Sequence, residues 1–378
     1  MDGTPDSGGA HGRIAIVLPY KDAFAAQGAT ATALLIRDRT MASRHRQRIT
    51  VFGRPVPTPF PDVHFRAVRP AFAGLLGGKR GEAIAIARAT QRPPTALYEL
   101  HQRVRSFWLL ASRIDGAPLT FHVHTDPLQD VPGLEDTSGR AAILARASQV
   151  LCISRFVRER FLDGIDDPDG KARVLPNGVR TAPVLVAEKA PLIAFAGRLD
   201  PPKGVHHLVD ALVDVLPRHP QWRAEIAGSA SFAKTDRVTD YERTLRASLA
   251  PLGDRAALTG YQSHEAVLGL FRRAAIVVVP SLWQEGFGMV AAEALGHGCA
   301  VIAYRRGGLP EVVEGRGLVV DEPEPKRLAD ALERVVADAD FRGRLQAGAD
   351  ADFPFTIERT TALQDAYRDE LLEVRTAQ

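Results

Sequence analysis

The sequence predicts a two-domain α/β protein in which each domain is a doubly wound parallel sheet, and two observations carry the prediction. Short apolar runs alternate with amphipathic stretches along the chain, and the alternation breaks near residue 181 and restarts near residue 192. At 378 residues the chain is also too long for one ordinary core, so two domains are the natural partition. The expected domains span residues 13–182 and 183–354, with a last helix, 355–378, packing back on the first. Residues 1–12 are polar and glycine-rich and lack the apolar core of a secretory signal, so they are expected to be a disordered lead-in.

The strands of the first half are the short apolar runs Ile14–Leu18, Ile49–Phe52, Ala96–Leu100, Leu119–Val123 and Gln149–Ile153, too short for helices and bounded by turn residues. A glycine turn at Gln27-Gly28-Ala29-Thr30 follows the first, and a helix through Leu34, Leu35 and Ile36 follows the turn. Residues 140–147 read as a helix. A short strand from Arg173 ends in the turn Pro176-Asn177-Gly178. Thr181–Pro191, with two prolines and no period, reads as a linker. The second half repeats the scheme. Strands are expected at Leu192–Ala196, Trp222–Ala227, Ala256–Thr259, Ile276–Val279, Ala300–Ala303 and Gly317–Val320. Helices are expected at 205–217, 241–252, 265–273, 291–295 and 326–338, and a final amphipathic stretch at Thr356–Val374. Sheets of this kind bind ligands outside the carboxyl ends of their strands, here in the cleft expected between the domains.

Composition removes several function classes. Hydrophobic content of 45% and charged content of 25% are those of a soluble globular chain, and no apolar run approaches the ~20 residues that span a bilayer. The two cysteines, Cys152 and Cys299, lie in apolar segments without metal-type spacing, which points to buried free thiols in a reducing cytoplasm. The net charge of +3 conceals a basic region: residues 37–113 hold fifteen Arg or Lys and four Asp or Glu. Apolar residues stand beside bases at Pro70–Arg80. Such a region either docks on anionic headgroups at the inner face of a membrane, or attracts an anionic acceptor, or simply decorates a solvated surface. No nucleic-acid motif accompanies it, so nucleic acid is not an expected partner.

The richest stretch is Glu285-Gly-Phe-Gly-Met-Val-Ala-Ala-Glu293, which follows the buried strand ending at Val279-Pro280-Ser281. A strand, a glycine loop and a helix N-terminus present free amides and a positive dipole end to an anion. The two carboxylates can accept hydrogen bonds from ligand hydroxyls. A ligand bearing both phosphates and hydroxyls suits this unit, and a nucleotide-sugar is one. Gly197-Arg198-Leu-Asp-Pro-Pro-Lys203-Gly204 follows the first strand of the second half. Arg198 and Lys203 on one loop can clamp neighbouring phosphates. Alone, that loop is two surface cations; with Glu285 and Glu293 on a later loop of the same sheet, it is half of a site.

In the first half, Phe121-His122-Val123-His124 ends a strand, and alternation points both histidines to one face. The pair is either a cleft element or two structural strand-end histidines, and no partnered metal-ligand cluster is evident from the sequence. His101, after the Leu97–Leu100 run, is a further cleft candidate. Asp167-Pro-Asp169 has a metal-binding DxD form but sits in a Gly/Asp/Pro loop, where a solvated turn is the expectation. Ser281 lacks a hydrolase elbow, and the first turn lacks a full dinucleotide fingerprint.

The segments Gly197-Arg198-Leu…Lys203-Gly204, Glu285-Gly-Phe-Gly…Glu293 and Pro176-Asn-Gly-Val179, in that spacing, resemble the GT-B glycosyltransferases of family 4, along nearly the whole chain. The resemblance implies a retaining, metal-independent hexosyltransferase with a UDP- or GDP-sugar as co-substrate and no cofactor. It implies that Arg198 and Lys203 hold the donor diphosphate and Glu293 the ribose hydroxyls. Glu285 would contact the transferred sugar, and the backbone of Phe287 and Gly288 would touch sugar and phosphate. His124, with His122 second, would approach the sugar, and the Gly28 turn would approach donor and acceptor. It further implies a carbohydrate, lipid-linked or small-molecule acceptor, as in polysaccharide or glycoconjugate assembly. A nucleotide-sugar epimerase or hydrolase on the same frame is the alternative, and would turn over donor without acceptor.

Overall fold

The computed structural model describes residues 12–19, 22–26, 28–69, 78–90, 95–114, 116–182, 189–230, 238–348 and 352–376. All but the last residue of the expected lead-in (residues 1–12), most of the Pro70–Arg80 stretch and most of the expected linker lie outside the described residues. The chain divides into two units. Unit 1 comprises Met1–Ile153, Val157–Gly178 and Ile357–Gln378, and unit 2 comprises Ser154–Phe156 and Val179–Thr356.

Unit 1 holds seven parallel strands: β1 (Arg13–Val17), β2 (Ile49–Gly53), β3 (Phe65–Ala67), β4 (Thr95–His101), β5 (Leu119–Val123), β6 (Gln149–Cys152) and β7 (Ala172–Val174). Their order across the sheet is β3-β2-β1-β4-β5-β6-β7. Unit 2 holds six: β8 (Ala190–Ala196), β9 (Arg223–Ala227), β10 (Ala256–Gly260), β11 (Ala274–Val279), β12 (Ala300–Tyr304) and β13 (Leu318–Val320), in the order β10-β9-β8-β11-β12-β13. Both sheets therefore wind outward from their first strand in one direction, return to it, and continue in the other. The strand order reverses between β1 and β4 in unit 1 and between β8 and β11 in unit 2. Crossover helices diverge there, and the crevice left at the strand ends is where doubly wound sheets bind ligands.

The central strands are buried on both faces, which is why they read as unbroken apolar runs. In unit 2, Ile193, Phe195, Ile226, Ile276, Val278 and Ile302 pack beneath the helix Val205–Val215 and the helix Pro325–Ala337. In unit 1, Ile14, Ile16, Val51 and Leu97 pack with Ala33 and Ile36 of the helix Ala31–Ala42. The last helix, Ile357–Thr376, belongs to unit 1; Leu371 and Leu372 pack against that unit's core, and a buried ion network ties the helix to β4. Arg368 makes two bonds to Glu99 of β4, 2.7 and 2.9 Å, and Gln364 adds a third at 3.1 Å. Asp365 accepts from Ser43 Oγ at 2.7 Å and from the Arg44 amide at 2.9 Å. A buried ion pair is retained only where its remaining hydrogen-bond capacity is also met, and here it is.

Several elements depart from the sequence reading. The helix expected at 140–147 starts at Thr137, because Asp136 caps it by accepting from the Gly139 amide. The helix expected at 241–252 ends at Leu249 and continues as a 3₁₀ turn broken at Gly253, where φ is +58°. Edge strand β3 and the helices Gly78–Thr90, Val104–Ala111, Arg155–Leu162 and Ala339–Gln346 had no counterpart in the sequence reading. β3 has a half-exposed Phe-Arg-Ala sequence with no apolar run to mark it. Arg155–Leu162 is so charged that only Val157 and Phe161 are buried.

Several bases of the basic region are engaged inside unit 1. Arg37 pairs with Asp62 and Arg44 with Asp369, Arg39 is buried and donates to the Pro176 carbonyl, and Arg48 holds the Gly12 carbonyl. Among the described residues no helix is long and apolar enough to cross a membrane. Asp167 of the DxD form accepts from the Lys171 and Ala172 amides, each at 2.9 Å, so it closes its own turn. Cys152 and Cys299 are free and buried, and burial pushes both thiols upward.

Candidate active site

Unit 2 brings its four predicted charged residues to the reversal point. Arg198 and Lys203 lie on the loop after β8, and Glu285 on the loop after β11. Glu293 follows on the helix Met289–Gly296. The two loops are tied by backbone: the Pro202 carbonyl accepts from the Leu282 and Trp283 amides at 2.9 and 3.1 Å. Lys203 Nζ donates to Glu285 Oε1 at 2.6 Å, and Ser281 Oγ donates to the same oxygen at 2.5 Å. Both donors fall on one oxygen, so Glu285 Oε2 makes no hydrogen bond among the described residues. Its lone pairs remain for a ligand hydroxyl. Arg198, about two-fifths exposed, pairs with Asp200 at 3.0 Å.

The loop carrying Glu285 is held from the far side by the turn after β12. The Gly308 amide donates to the Glu285 carbonyl at 2.7 Å, and the Gly307 amide to Gln284 Oε1 at 2.6 Å. Ser154 Oγ reaches the Gly286 carbonyl at 2.6 Å. Phe287 turns its ring inward, edge-on to Phe355 at 5.3 Å, which leaves its backbone rather than its side chain for a ligand. Gly288 precedes the helix at φ +96°, and a Cβ there would come within 2.5 Å of Leu309 Cδ2. No side chain caps this helix. Its first amides are therefore available to an anion. The helix after β8 also opens on a glycine, Gly204, but there the Tyr241 hydroxyl accepts from the His206 amide at 3.1 Å.

Glu293 is buried, and its Oε1 accepts from His264 Nε2 at 2.8 Å. That bond raises the His264 pKa, against burial, which lowers it. His264 was not singled out in the sequence. It opens a helix 29 residues earlier, and nothing local marks its partner. Ser281, which lacks a hydrolase elbow, instead donates to Glu285 and positions it.

In unit 1, Gly28 lies after β1 at φ +75°, and a Cβ would meet nothing within 4 Å. Its loop is anchored at both ends by Thr30, whose Oγ1 donates to Asp22 at 2.7 Å and accepts from the Ala33 amide at 3.2 Å. His101 ends β4, and His122 is its register partner in β5. Strand pairing brings His101, nominated separately in the sequence, to the HxH pair. His101, His122 and His124 lie together, with His101 Nδ1 2.8 Å from His124 Nε2. The His101 ring lies 4.1 Å from that of His122 at 16°, and 5.0 Å from that of His124 at 17°. An imidazole binds a metal in its own ring plane, at about 2.0–2.1 Å for zinc. His101 and His122 stack face to face, whereas His101 and His124 meet edge to edge, so Nδ1 of the one and Nε2 of the other face each other across a hydrogen bond; the ligand atoms of all three rings lie within 4.8 Å of one another. Burial first, and the field of Arg39 with it, holds these rings well below the usual histidine range, and for His101 and His124 the neighbouring imidazoles add to the effect. They are neutral at ordinary pH.

Known proteins resemble both units. A family model described as glycosyl transferases group 1 matches residues 181–351, and one described as glycosyltransferase family 4 matches residues 27–182. The D-inositol 3-phosphate glycosyltransferase of a Nocardioides species is 28% identical over 416 residues, covering 99% of this chain and 88% of that protein. The enzyme of that name from Acidothermus cellulolyticus is 30% identical over 308 residues, covering 72% of this chain and 67% of its own. Among solved structures, Anabaena HepE in complex with UDP and glucose aligns with a TM-score of 0.72 at 20% identity, over 95% of this chain and all of that one. Sucrose-phosphate synthase of Thermosynechococcus elongatus aligns with a TM-score of 0.75 at 21% identity, over 96% of this chain and all of that one. At these identities the structural likeness speaks to the fold.

Proposed function

Because the chain belongs to the GT-B glycosyltransferases of family 4, we propose that it moves a sugar from a nucleoside-diphosphate sugar to an acceptor hydroxyl, with retention at the anomeric carbon. The observation that carries this reading is the Lys203–Glu285–Ser281 cluster beside the uncapped helix at Gly288. It places a cation, a carboxylate with one oxygen unused and a row of amides within one crevice.

Arg198, Lys203 and the amides of the helix 289–296 face the donor diphosphate. Charge accumulates on the leaving phosphate oxygen as its bond to the anomeric carbon breaks. Fixed donors aimed at that oxygen stabilise the transition state more than the ground state. The acceptor oxygen bonds to the anomeric carbon from the face the phosphate leaves, and its proton passes to a donor phosphate oxygen. No protein nucleophile takes part. Lys203 exchanges Glu285 for phosphate as the donor enters, and Glu285 then accepts from the sugar. Glu293 accepts from the ribose hydroxyls. The cations and amides meet the diphosphate charge, so the proposed transfer is metal-independent.

The relatives named D-inositol 3-phosphate glycosyltransferase support an acceptor in the class of sugar or polyol phosphates, carried by unit 1. The neighbour solved with UDP and glucose makes a UDP-sugar the first donor to try. A thermal-shift panel of UDP-, GDP- and ADP-sugars tests the donor, since a ligand of the native state raises the transition. One nucleotide series should shift it, and that donor should release its diphosphate only when an acceptor is present. Release without acceptor would identify a hydrolase or epimerase instead, and no shift with any series would refute the donor site.

A further inference from the structure

We propose that His101 fixes the tautomer of His124, so that His124 presents an N–H at Nδ1 to the bound substrate. The proposal rests on the reading that His124 faces the transferred sugar, and it adds a positioning residue that this reading does not contain.

A neutral imidazole has one N–H and one bare nitrogen. His101 Nδ1 and His124 Nε2 are 2.8 Å apart, so a single proton lies between them and one ring donates to the other. Two arrangements satisfy that distance. In the first, His101 carries its proton on Nδ1 and donates to His124 Nε2, which forces the His124 proton to Nδ1. In the second, His124 donates from Nε2, and the His101 proton sits on Nε2. The far nitrogen of His101 separates them. His101 Nε2 is buried and has no hydrogen-bond partner among the described residues. A buried N–H without an acceptor is rarer in native structures than a bare acceptor left unfilled. The first arrangement leaves a bare nitrogen there, and the second leaves an orphaned N–H. The proton therefore belongs on His101 Nδ1.

The backbone around the pair is built to keep it. Gln102, directly after His101, is the one non-glycine residue with positive φ among the described residues, at +51°. Its amide donates to the His122 carbonyl at 2.9 Å, and its side chain donates to Thr125 Oγ1, next to His124. A conformation of that kind persists only where neighbours over-determine it. Here they latch the end of β4 to the end of β5, and the two rings with them. His122, stacked on His101, blocks rotation from the other side.

The test is the ¹⁵N spectrum of the imidazoles, whose two nitrogens report protonation separately. It needs no donor or acceptor, so it stands apart from the functional reading. The full-length protein should show His124 protonated at Nδ1 and bare at Nε2, and the reverse pattern would overturn the proposal. His101→Asn keeps a donor near the Nδ1 position, whereas His101→Gln moves the amide toward Nε2. His101→Gln should mix the His124 tautomers and lower kcat about tenfold with donor KM nearly unchanged, the effect of one lost hydrogen bond. His101→Asn should restore most of that turnover. Equal turnover in wild type and both variants, with the tautomer altered in His101→Gln, would overturn the positioning role while leaving the glycosyltransfer reading intact.

Discussion

The two units wind their strands in the same order and then place opposite chemistry at the strand ends. Unit 2 sets formal charges against one another: Lys203 on Glu285, Arg198 on Asp200, His264 on Glu293. Unit 1 sets three neutral imidazoles in a cluster over an internally closed ion network of Glu99, Asp365 and Arg368. The difference teaches that topology chooses the loops while the residues just past each strand choose the ligand. On the proposed reading, the charged crevice suits a polyanion whose charge grows during reaction. A neutral one offers hydrogen bonds to hydroxyls and does not compete for the phosphates.

The largest break in this contrast is Lys203→Ala. It should lower turnover roughly 10²–10³-fold, the usual cost of removing one preorganised donor from a developing negative charge. Stability should fall by only about 1 kcal/mol, because the lost pair is partly exposed. Steady-state kinetics beside denaturant unfolding checks both halves, and intact turnover would remove the clamp. Glu293→Ala comes next, weakening nucleotide diphosphate binding about 10–100-fold by calorimetry. Unchanged affinity would rule out its ribose contact.

pH sharpens the comparison, because the clustered His101, His122 and His124 of unit 1 and the Glu293-paired His264 of unit 2 shift in opposite directions. In unit 1 the folded pKa values lie below the unfolded value near ~6.5, so the unfolded chain binds protons that the native unit does not. Stability is lost as pH falls through that value, by up to ~1.4 kcal/mol per pH unit for each such histidine. Hydrogen exchange between pH 7.5 and 5.5 should show β4 and β5 losing protection in acid, and equal protection at both ends would contradict the neutral cluster. His264 runs the other way. Its folded pKa is raised, so its bond to Glu293 contributes fully below about 6.5 and fades as pH rises through the raised value. The gap in Tm between wild type and His264→Gln should therefore be widest near pH 6 and close at higher pH. This is the smallest effect, a few tenths to about 1 kcal/mol, and a gap that widened with pH would refute the pairing.

Much of the fold could be read from the chain, for a physical reason. A strand buried on both faces must be apolar throughout, so β1, β8, β11 and β12 announce themselves. An edge strand such as β3 carries no such demand, and the helix Arg155–Leu162 hides its two buried residues among charges. Arg198, Lys203, Glu285 and Glu293 were legible because glycine spacing and chemistry mark them locally. Their partners were not. Lys203 and Glu285 are 82 residues apart, His264 and Glu293 29, and His101 and His124 23.

The sequence by itself determined the periodicities, hence the two parallel sheets, and it determined which side chains could carry charge or accept hydroxyls. The tertiary structure decided which of them meet. Strand register put His101 beside His122, and two tied loops put Ser281 and Lys203 on one oxygen of Glu285. Apolar patterning is a local property, because water acts on each residue separately. A hydrogen bond has a partner and a direction, and both exist only once the chain has closed on itself.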